Sequence, residues 1–199
     1  MDKKTQILEA AYQLFSENGY GLSMSEIAWE VGIKTPSIYS HFSGKDEIVE
    51  QTIRKEVERY YTHLGNSMAK VHNGKCRDAM KHVYLSIYEY FEDINRLRFW
   101  RNIPMIPNEP LRETCRELIE KNDRFYTREM QRCFERGIEK GEIRADVSEG
   151  SLYLYLAMIQ GVLHGVLLYR QSATRGDYIL RVFDAYWNGI SATSMDQNG

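Results

Sequence analysis

The chain has few of the residues that mark disordered, fibrous or disulfide-stabilised proteins. Its 199 residues include only 4 Pro and 14 Gly, while 43% are hydrophobic and 27% are charged. This composition is typical of a globular protein and excludes a collagen-like or disordered chain. An excess of basic residues is also lacking, with 26 Lys and Arg against 28 Asp and Glu overall. Residues 1–63 are themselves acidic, with 7 basic and 10 acidic side chains. Net charge alone therefore does not indicate a nucleic-acid partner.

Cysteine is scarce as well. Cys76, Cys115 and Cys133 are odd in number and widely spaced, so they do not form a disulfide framework. Cys115 and Cys133 lie on one predicted helix, where a rise of 1.5 Å per residue separates them by roughly 27 Å and prevents them from pairing. The pattern favours a reducing cytoplasm and three small, half-buried hydrophobic side chains, with redox sensing as the alternative.

Enzyme motifs are missing: the sequence has no GxxxxGK, HExxH, GxSxG or CxxC. His72, Cys76 and His82 could be considered as metal ligands, but His82 falls about 100° away from the helix face that the first two share. We therefore predict no enzymatic activity, no metal and no cofactor.

A signal peptide is not evident, because the chain leads directly into an amphipathic pattern, and no export is expected. One uncharged stretch, Gly150–Tyr169, is long enough to span a bilayer. Polar residues interrupt it, and a helix that is apolar all round is equally typical of a core or a subunit interface. We therefore expect a cytoplasmic protein without a membrane partner.

The apolar residues recur at helical spacing throughout, and no alternating run is long enough to predict a strand. The sequence therefore predicts an all-α fold of about nine helices. A polar stretch at 65–75 separates two regions, and a loop containing two prolines falls at 103–108. The predicted helices cover 3–17, 23–31, a short segment ending at 42, 45–64, 76–94, 108 to 137 or 141, 150–169 and 177–190.

The strongest motif lies at residues 23–42. Ser23 and Glu26 form a capping box at the start of the second helix. Gly32 ends this helix after about two turns, and Pro36 lies near the start of the third. A short helix, a tight turn and a second short helix predict a helix-turn-helix, whose second helix can enter the DNA major groove.

The free face of the third helix is polar or aromatic and carries no acid. Its Ser and Thr hydroxyls can bond phosphates or bases, and a Tyr hydroxyl can reach a phosphate. Lys45 begins the next helix, where the main-chain N–H groups already favour an anion. The candidate DNA contacts on the third helix are Thr35, Pro36, Ser37, Tyr39, Ser40 and His41.

The first 60 residues resemble the TetR/AcrR-type transcriptional regulators. The similarity is carried by Ile7–Tyr20 (ILEAAYQLFSENGY), by SEIA at 25–28 and VGI at 31–33, and by SIYSHF at 37–42 with Lys45. It implies a dimeric regulator, usually a repressor, which a small ligand releases from double-stranded DNA. It also implies an N-terminal three-helix helix-turn-helix domain at 1–63, joined by a linking helix to a larger helical ligand-binding and dimerisation domain at 64–199.

The resemblance also assigns roles within the motif. It places Lys34 to His41 on the recognition helix or its lead-in, and it implies phosphate contacts for Tyr39, His41 and Lys45. The chain departs from the family pattern at Lys34, where a small hydroxyl residue is common, and at Pro36, where Gly is common. Pro36 removes a main-chain N–H that could otherwise meet a phosphate.

The second region is rich in aromatic residues. A cavity lined by them would hold a small apolar or aromatic effector, with a few polar groups fixing its orientation. Gln160 and His164 are candidates for those polar groups, although aromatic residues at helical spacing are also typical of an ordinary core. The aromatic candidates are Tyr84, Tyr88, Phe91, Trp100, Phe125, Tyr126 and Tyr155.

By the same resemblance, the uncharged helix and the last helix are the candidates for the homodimer interface. Gly161 and Gly165 lie four residues apart and would let helices approach closely, either within the chain or between subunits. Two readings compete with a repressor: a transcriptional activator, and a helical interaction module that uses the helix-turn-helix as a scaffold.

Overall fold

The computed structural model describes residues 2–71, 74–169 and 175–192, and these residues are almost entirely helical. They contain nine α-helices and two short 3-10 turns, and their only strand-like feature is an isolated bridge between Ile143 and Ser191. The predicted all-α fold is confirmed. The helices are α1 (Lys3–Asn18), α2 (Met24–Val31), α3 (Thr35–Ile38), α4 (Lys45–Val71), α5 (Cys76–Tyr90), α6 (Ile94–Asn102), α7 (Glu109–Glu139), α8 (Gly150–Tyr169) and α9 (Arg175–Ile190).

The chain divides into two compact units. The first comprises residues 1–62 and 92–122, and the second comprises 63–91 and 123–199. Residues 92–122 therefore group with the N-terminal residues, although they follow them at a distance along the chain. The functional boundary near residue 63 stays a prediction.

Aromatic packing joins α1 to α6 in the first unit. The ring of Phe99 stacks on Tyr12, with ring centres 4.8 Å apart, and lies tilted against Phe15 at 4.9 Å. At the end of α1, the side-chain amide of Asn102 donates a hydrogen bond to the Phe15 carbonyl at 2.8 Å. Gly19 follows with a φ of 57°, a left-handed conformation that favours glycine. α6 thus covers the apolar face of α1 and satisfies its last carbonyl groups.

Buried tyrosines join α5, α8 and α9 in the second unit. The hydroxyl of Tyr84 donates to the carbonyl of Ile179 at 2.9 Å, and that of Tyr155 donates to the carbonyl of Met80 at 2.7 Å. Tyr88 donates in the same way to the carbonyl of Ile159 at 3.2 Å. Because each hydroxyl has a main-chain acceptor, these large rings are buried without leaving a polar atom unpaired.

The predicted helix end at residue 64 is wrong, because α4 continues to Val71 through most of the polar stretch at 65–75. Gly65 lies inside this helix, and a Cβ atom there would lie 3.0 Å from the hydroxyl of Tyr126. The glycine therefore makes room for an aromatic side chain. This packing outweighs the tendency of glycine to end a helix.

The single helix predicted at 76–94 is also wrong. α5 ends at Tyr90, and α6 begins after Asp93, whose carboxylate accepts a hydrogen bond from the Asn95 N–H at 2.9 Å. Ile94 continues the apolar spacing of the predicted helix, but its side chain is exposed. The N-capping propensity of Asp93 outweighs the continuing apolar pattern at this point.

α8 covers the range that was predicted for the uncharged helix. Over Gly150–Leu167 it is long and apolar enough, by length and composition, to cross a membrane, yet only 28% of that stretch is buried in the chain. The helix therefore keeps a large apolar surface that the described residues of its own chain do not cover.

Candidate nucleic-acid interface and effector cavity

Helix α2 and its following turn have the geometry that the motif predicts. The Ser23 hydroxyl accepts a hydrogen bond from the Glu26 N–H at 3.2 Å, and the Glu26 carboxylate accepts one from the Ser23 N–H at 2.7 Å. Both halves of the capping box are therefore present. Gly32 then takes a left-handed φ of 69°, and the Ile33 N–H donates to the Ala28 carbonyl at 2.9 Å. The predicted turn at Gly32 is confirmed.

Buried apolar residues fix α3 against the rest of the first unit. Ile38 is fully buried and Phe42 nearly so, as are Ile27 and Ala28 on α2. α3 itself is short, with Pro36 in its first turn, where the missing N–H leaves no intrahelical bond unmade. The inward face of the motif is thus anchored, and the opposite face is left to solvent.

The outward face carries most of the predicted DNA contacts. Thr35 and Lys45 are half-buried, and no Asp or Glu occurs from Val31 to Lys45. A contiguous exposed surface without carboxylates can approach a phosphate backbone without direct repulsion. The six exposed candidates are Lys34, Pro36, Ser37, Tyr39, Ser40 and His41.

Lys45 lies at the first position of α4, next to Tyr20. Its neighbour Asp46 accepts hydrogen bonds from the Tyr20 hydroxyl and from the side-chain amide of Asn108, the latter at 2.6 Å. Burial and the hydrogen bond to Asp46 raise the pKa of Tyr20 to about 12. Asn108 also accepts a hydrogen bond from the Leu111 N–H at 3.2 Å and so caps the start of α7. This polar cluster joins the starts of α4 and α7 to Tyr20.

A separate cavity of about 220 Å³ lies in the second unit, between the second half of α4, helix α5 and the second half of α7. Its wall is mostly apolar, and Phe125 at its edge is 59% exposed. The cavity therefore reaches the surface. The lining residues are Gly65, Met68, Ala69, Val71, Ala79, Val83, Phe125, Tyr126, Glu129, Met130, Cys133 and Arg136.

Two charged side chains lie among these lining residues, Glu129 and Arg136. Glu129 forms an ion pair with Arg132, one turn further along α7. Arg136 therefore supplies the positive charge in the cavity wall. A guanidinium group beside apolar and aromatic surface suits a ligand with an apolar body and an acidic group.

Residues 7–52 match the family model described as bacterial regulatory proteins, tetR family. This segment of the chain is therefore similar to the N-terminal part of tetR-family regulators. The chain is also 32% identical over 108 residues to the biofilm operon icaADBC HTH-type negative transcriptional regulator IcaR of Staphylococcus aureus, a match covering 54% of this chain and 55% of that protein. The chain thus spans about half the length of the curated relatives that it matches.

Solved structures of transcriptional regulators extend the fold similarity to nearly the whole chain. The transcriptional regulator FadR from Bacillus subtilis, in complex with stearoyl-CoA, has a TM-score of 0.74 at 19% identity, covering 94% of this chain and 100% of that one. The ketosteroid transcriptional regulator KstR2 of Mycobacterium tuberculosis has a TM-score of 0.71 at 16% identity, covering 96% and 95%. At these identities the likeness concerns the fold alone.

The cavity includes two of the nine predicted effector residues, Phe125 and Tyr126. Tyr84, Tyr88 and Tyr155 are buried with their hydroxyls bonded to main-chain carbonyls, and Phe91 is also buried. None of these four lines the cavity, and their contacts are those of core residues. Their role in binding stays a prediction.

Three further predicted effector-binding residues lie outside the cavity. Trp100 belongs to the first unit, where its ring meets the edge of Tyr60 with centres 5.0 Å apart. Gln160 and His164 are exposed on α8 and do not line the cavity. Polar residues within an uncharged helix were expected to orient a ligand, whereas the structure directs both of them outward.

The sequence prediction missed Met130, Cys133 and Arg136. With Tyr126 they recur on α7 at intervals of three and four residues, so they share one face of the helix. This stripe could have been found from spacing, but its charged and sulfur-containing members do not resemble an aromatic pocket. His72, one of the considered metal ligands, lies outside the described residues, and within the described chain no group of His, Cys, Asp and Glu could hold a metal ion.

Proposed function

We propose that the chain is a transcriptional regulator, most simply a repressor, that binds double-stranded DNA as a homodimer and releases it when a small apolar or aromatic acid binds. The single observation that carries this proposal is the exposed, carboxylate-free face of a helix-turn-helix in a tetR-family domain. The name of its relative as a negative regulator supports repression over activation.

The proposed DNA contact uses two kinds of side chain. Ser37 and Thr35 on α3 are short hydroxyl residues that can reach base edges, while Tyr39, His41 and Lys45 are suited to phosphates. The acidic total of residues 1–63 predicts weak non-specific binding. Affinity would then depend on two subunits binding together, with their recognition helices about 34–36 Å apart.

The proposed effector lies in the cavity of the second unit. At about 220 Å³ the cavity is smaller than typical sites for drug-sized ligands, about 300–1,000 Å³, so a compact molecule is favoured. Arg136 would pair with its acidic group, and Phe125, Tyr126 and Met130 would contact its apolar part. The stearoyl-CoA in the FadR structure belongs to that protein, and the small cavity here argues for a shorter ligand.

The proposed dimer forms through α8. Its exposed residues recur along one side of the helix at spacings of three and four, so they form a stripe, here called the α8 face. A Cβ atom at Gly161 would meet nothing within 4 Å, so the small size of this residue serves no contact among the described residues. Close approach of a partner helix would explain it. The α8 face comprises Tyr153, Leu154, Ala157, Gln160, Gly161 and His164.

Effector binding would act by shifting the population between two arrangements of the dimer. An effector that binds better to the arrangement unsuited to DNA lowers DNA affinity by the ratio of its two affinities. Helices α4 and α7 contribute residues to both units, so either helix could transmit the change.

The test is selection of binding sites from a pool of random double-stranded DNA by the full chain. We expect enrichment of a palindromic site whose half-sites lie about one helical turn, or a multiple of it, apart. Fluorescence anisotropy with the selected duplex then gives the affinity, and a Tyr39→Ala, Lys45→Ala double variant should lose it. A pool without enrichment would favour the interaction-module reading.

A further inference from the structure

Two of the three cysteines meet in the second unit. Cys76 is the first residue of α5 and Cys133 lies on α7, and their sulfur atoms are 3.5 Å apart with both residues buried. A disulfide needs about 2.05 Å, so an approach of about 1.5 Å would join them. Helical spacing keeps Cys115 and Cys133 apart, whereas the fold brings the distant Cys76 next to Cys133.

The close contact depends on Gly137, which lies one turn after Cys133. A Cβ atom at Gly137 would lie 2.9 Å from the sulfur of Cys76 and 2.8 Å from the side chain of Ile143. Glycine inside a helix costs about 1 kcal/mol relative to alanine, yet here only glycine admits the Cys76 side chain against α7. The backbone thus holds the Cys76 sulfur beside Cys133.

Cys133 is also reachable. It lines the cavity together with Arg136, and the cavity reaches the surface at Phe125. Buried structural cysteines are usually inert because reagents cannot reach them. A small solute that enters this cavity meets the Cys133 side chain directly.

The electrostatic surroundings of the two thiols shift their pKa values in opposite directions. The hydrogen bond with Cys76 lowers the pKa of Cys133 against the effect of burial, and the guanidinium of Arg136 lowers it further. The same hydrogen bond, burial and the Glu142 carboxylate raise the pKa of Cys76. Glu142 is held there because it accepts a hydrogen bond from the Cys76 main-chain N–H at 2.8 Å. Cys133 is therefore the better nucleophile, and Cys76 keeps its proton.

We propose that Cys133 and Cys76 form a redox site in the cavity wall, which a small hydroperoxide oxidises to a disulfide and which thereby lowers DNA affinity. The Cys133 thiolate attacks the outer oxygen of the hydroperoxide and becomes a sulfenic acid, while the alkoxide leaves and takes up a proton to form the alcohol. The Cys76 sulfur then attacks the sulfenic sulfur, and its proton leaves with the hydroxide as water. In total, two thiols and one hydroperoxide give one disulfide, one alcohol and one water.

The effect on DNA rests on the proposed function, whereas the thiol chemistry does not. The disulfide would draw the start of α5 toward α7 and reshape the wall where the effector is proposed to bind. Cys115, in the first unit, provides a comparison within the same chain, since burial raises the pKa of its thiol to about 11.

The test treats the reduced full chain with tert-butyl hydroperoxide, blocks the remaining thiols with N-ethylmaleimide and identifies linked peptides by mass spectrometry. We expect a Cys76–Cys133 link that forms at least tenfold faster than any oxidation of Cys115. A Cys76→Ser variant should accumulate a sulfenic acid at Cys133, which dimedone labels, and a Cys115→Ser variant should form the link at the parent rate. If a variant fails to fold, the linked peptides of the parent chain alone still test whether Cys76 and Cys133 form the disulfide.

The DNA readout separates the two proposals. The oxidised chain should bind the selected duplex at least fivefold more weakly than the reduced chain, and dithiothreitol should restore binding. A parent chain that forms no Cys76–Cys133 link, or dimedone labelling at Cys115 before Cys133, would overturn the redox site. An oxidised chain that binds as tightly as the reduced one would overturn its regulatory role. Failure of the reduced chain to bind any selected duplex counts against the proposed function alone.

Discussion

The ammonium group of Lys45 donates a hydrogen bond to the main-chain carbonyl of Tyr20 at 2.9 Å and lies 3.9 Å from the centre of the Tyr20 ring. Both contacts hold the side chain of this lysine against Tyr20 at the start of α4. A lysine fixed in this way loses less side-chain entropy when it meets a phosphate than a freely rotating one. In the proposed complex, this fixed position would lower the entropic cost of the phosphate contact of Lys45.

Replacing Lys45 by Met should weaken binding to all DNA sequences by a similar factor. Each phosphate contact contributes about 0.9 to the slope of log affinity against log salt, so a dimer that loses two contacts should show a slope smaller by about 1.8. Anisotropy titrations from 50 to 200 mM salt, with the selected duplex and with a random one, measure this slope.

Lys55→Met is the matched control for that substitution, because Lys55 also lies on α4 but pairs with Glu9 on α1 at 3.4 Å. Its slope should equal that of the parent chain. An unchanged slope for Lys45→Met, with the helical circular dichroism intact, would remove Lys45 from the phosphate contacts.

Replacing Arg136 by Met should weaken binding of an aromatic acid to the cavity. Charge-assisted hydrogen bonds contribute about 1.5–3 kcal/mol, so the affinity for 2-naphthoate should fall about 10- to 100-fold. The neutral 2-naphthamide should bind the parent and the variant equally. Calorimetric titration of both compounds measures the difference.

Arg128→Met provides the comparison for this prediction, because Arg128 is exposed on α7, about two turns from Arg136, and does not line the cavity. It should leave the affinity for 2-naphthoate within about twofold of the parent. Equal losses for the two variants would mean that general charge, and not a specific contact, governs binding.

The sequence predicted the helix-turn-helix motif more fully than the cavity of the second unit, for a physical reason. The capping box at Ser23, the left-handed turn at Gly32 and the buried Ile38 are determined by residues that are close along the chain. Local hydrogen bonds and helix spacing are sufficient to place them. The exposed face of α3 then follows from the period of the helix alone.

The cavity depends on contacts between residues far apart in the chain. Gly65 makes room for Tyr126, and Gly137 makes room for Cys76. Each glycine is therefore required by a side chain that lies far away in the sequence. The large aromatic residues that suggested a pocket, such as Tyr84 and Tyr155, instead fill the core between α5, α8 and α9. Size and aromatic character indicated burial correctly but could not distinguish a core from a cavity.

The buried tyrosines predict a loss of stability at high pH. Burial raises the pKa of Tyr84 from its ordinary value of 10 to about 12, and burial also raises those of Tyr88 and Tyr186. Between pH 10 and 12 the unfolded chain loses the Tyr84 proton while the folded chain keeps it. The free energy of unfolding should therefore fall as pH rises, by up to about 1.4 kcal/mol per pH unit for each such tyrosine.

Urea unfolding from pH 9 to 11.5, followed by circular dichroism, measures this slope. A Tyr84→Phe variant should be less stable by about 1 kcal/mol at pH 8, because the Ile179 carbonyl loses its hydrogen bond. Its free energy of unfolding should also fall less steeply with pH, because one fewer buried hydroxyl ionises on unfolding. Tyr39→Phe, at a 57% exposed position, is the matched surface control for the substitution. A parent slope near zero above pH 10 would show that these hydroxyls ionise as easily in the folded chain as in the unfolded one.

The α8 face predicts how the dimer can be broken without unfolding the chain. Leu154 is 59% exposed, so a Leu154→Lys substitution should leave the monomer folded while placing a charge in the proposed interface. We expect the dimer dissociation constant to rise at least tenfold, as measured by light scattering over a dilution series. Met105→Lys is the control, since Met105 is 75% exposed but lies on neither α8 nor α9. Because each half-site alone binds weakly, Leu154→Lys should also lose the selected duplex at concentrations where it is monomeric and regain it when concentrated. A monomeric variant that binds the full palindrome as tightly as the parent would contradict both the α8 interface and the requirement for two subunits.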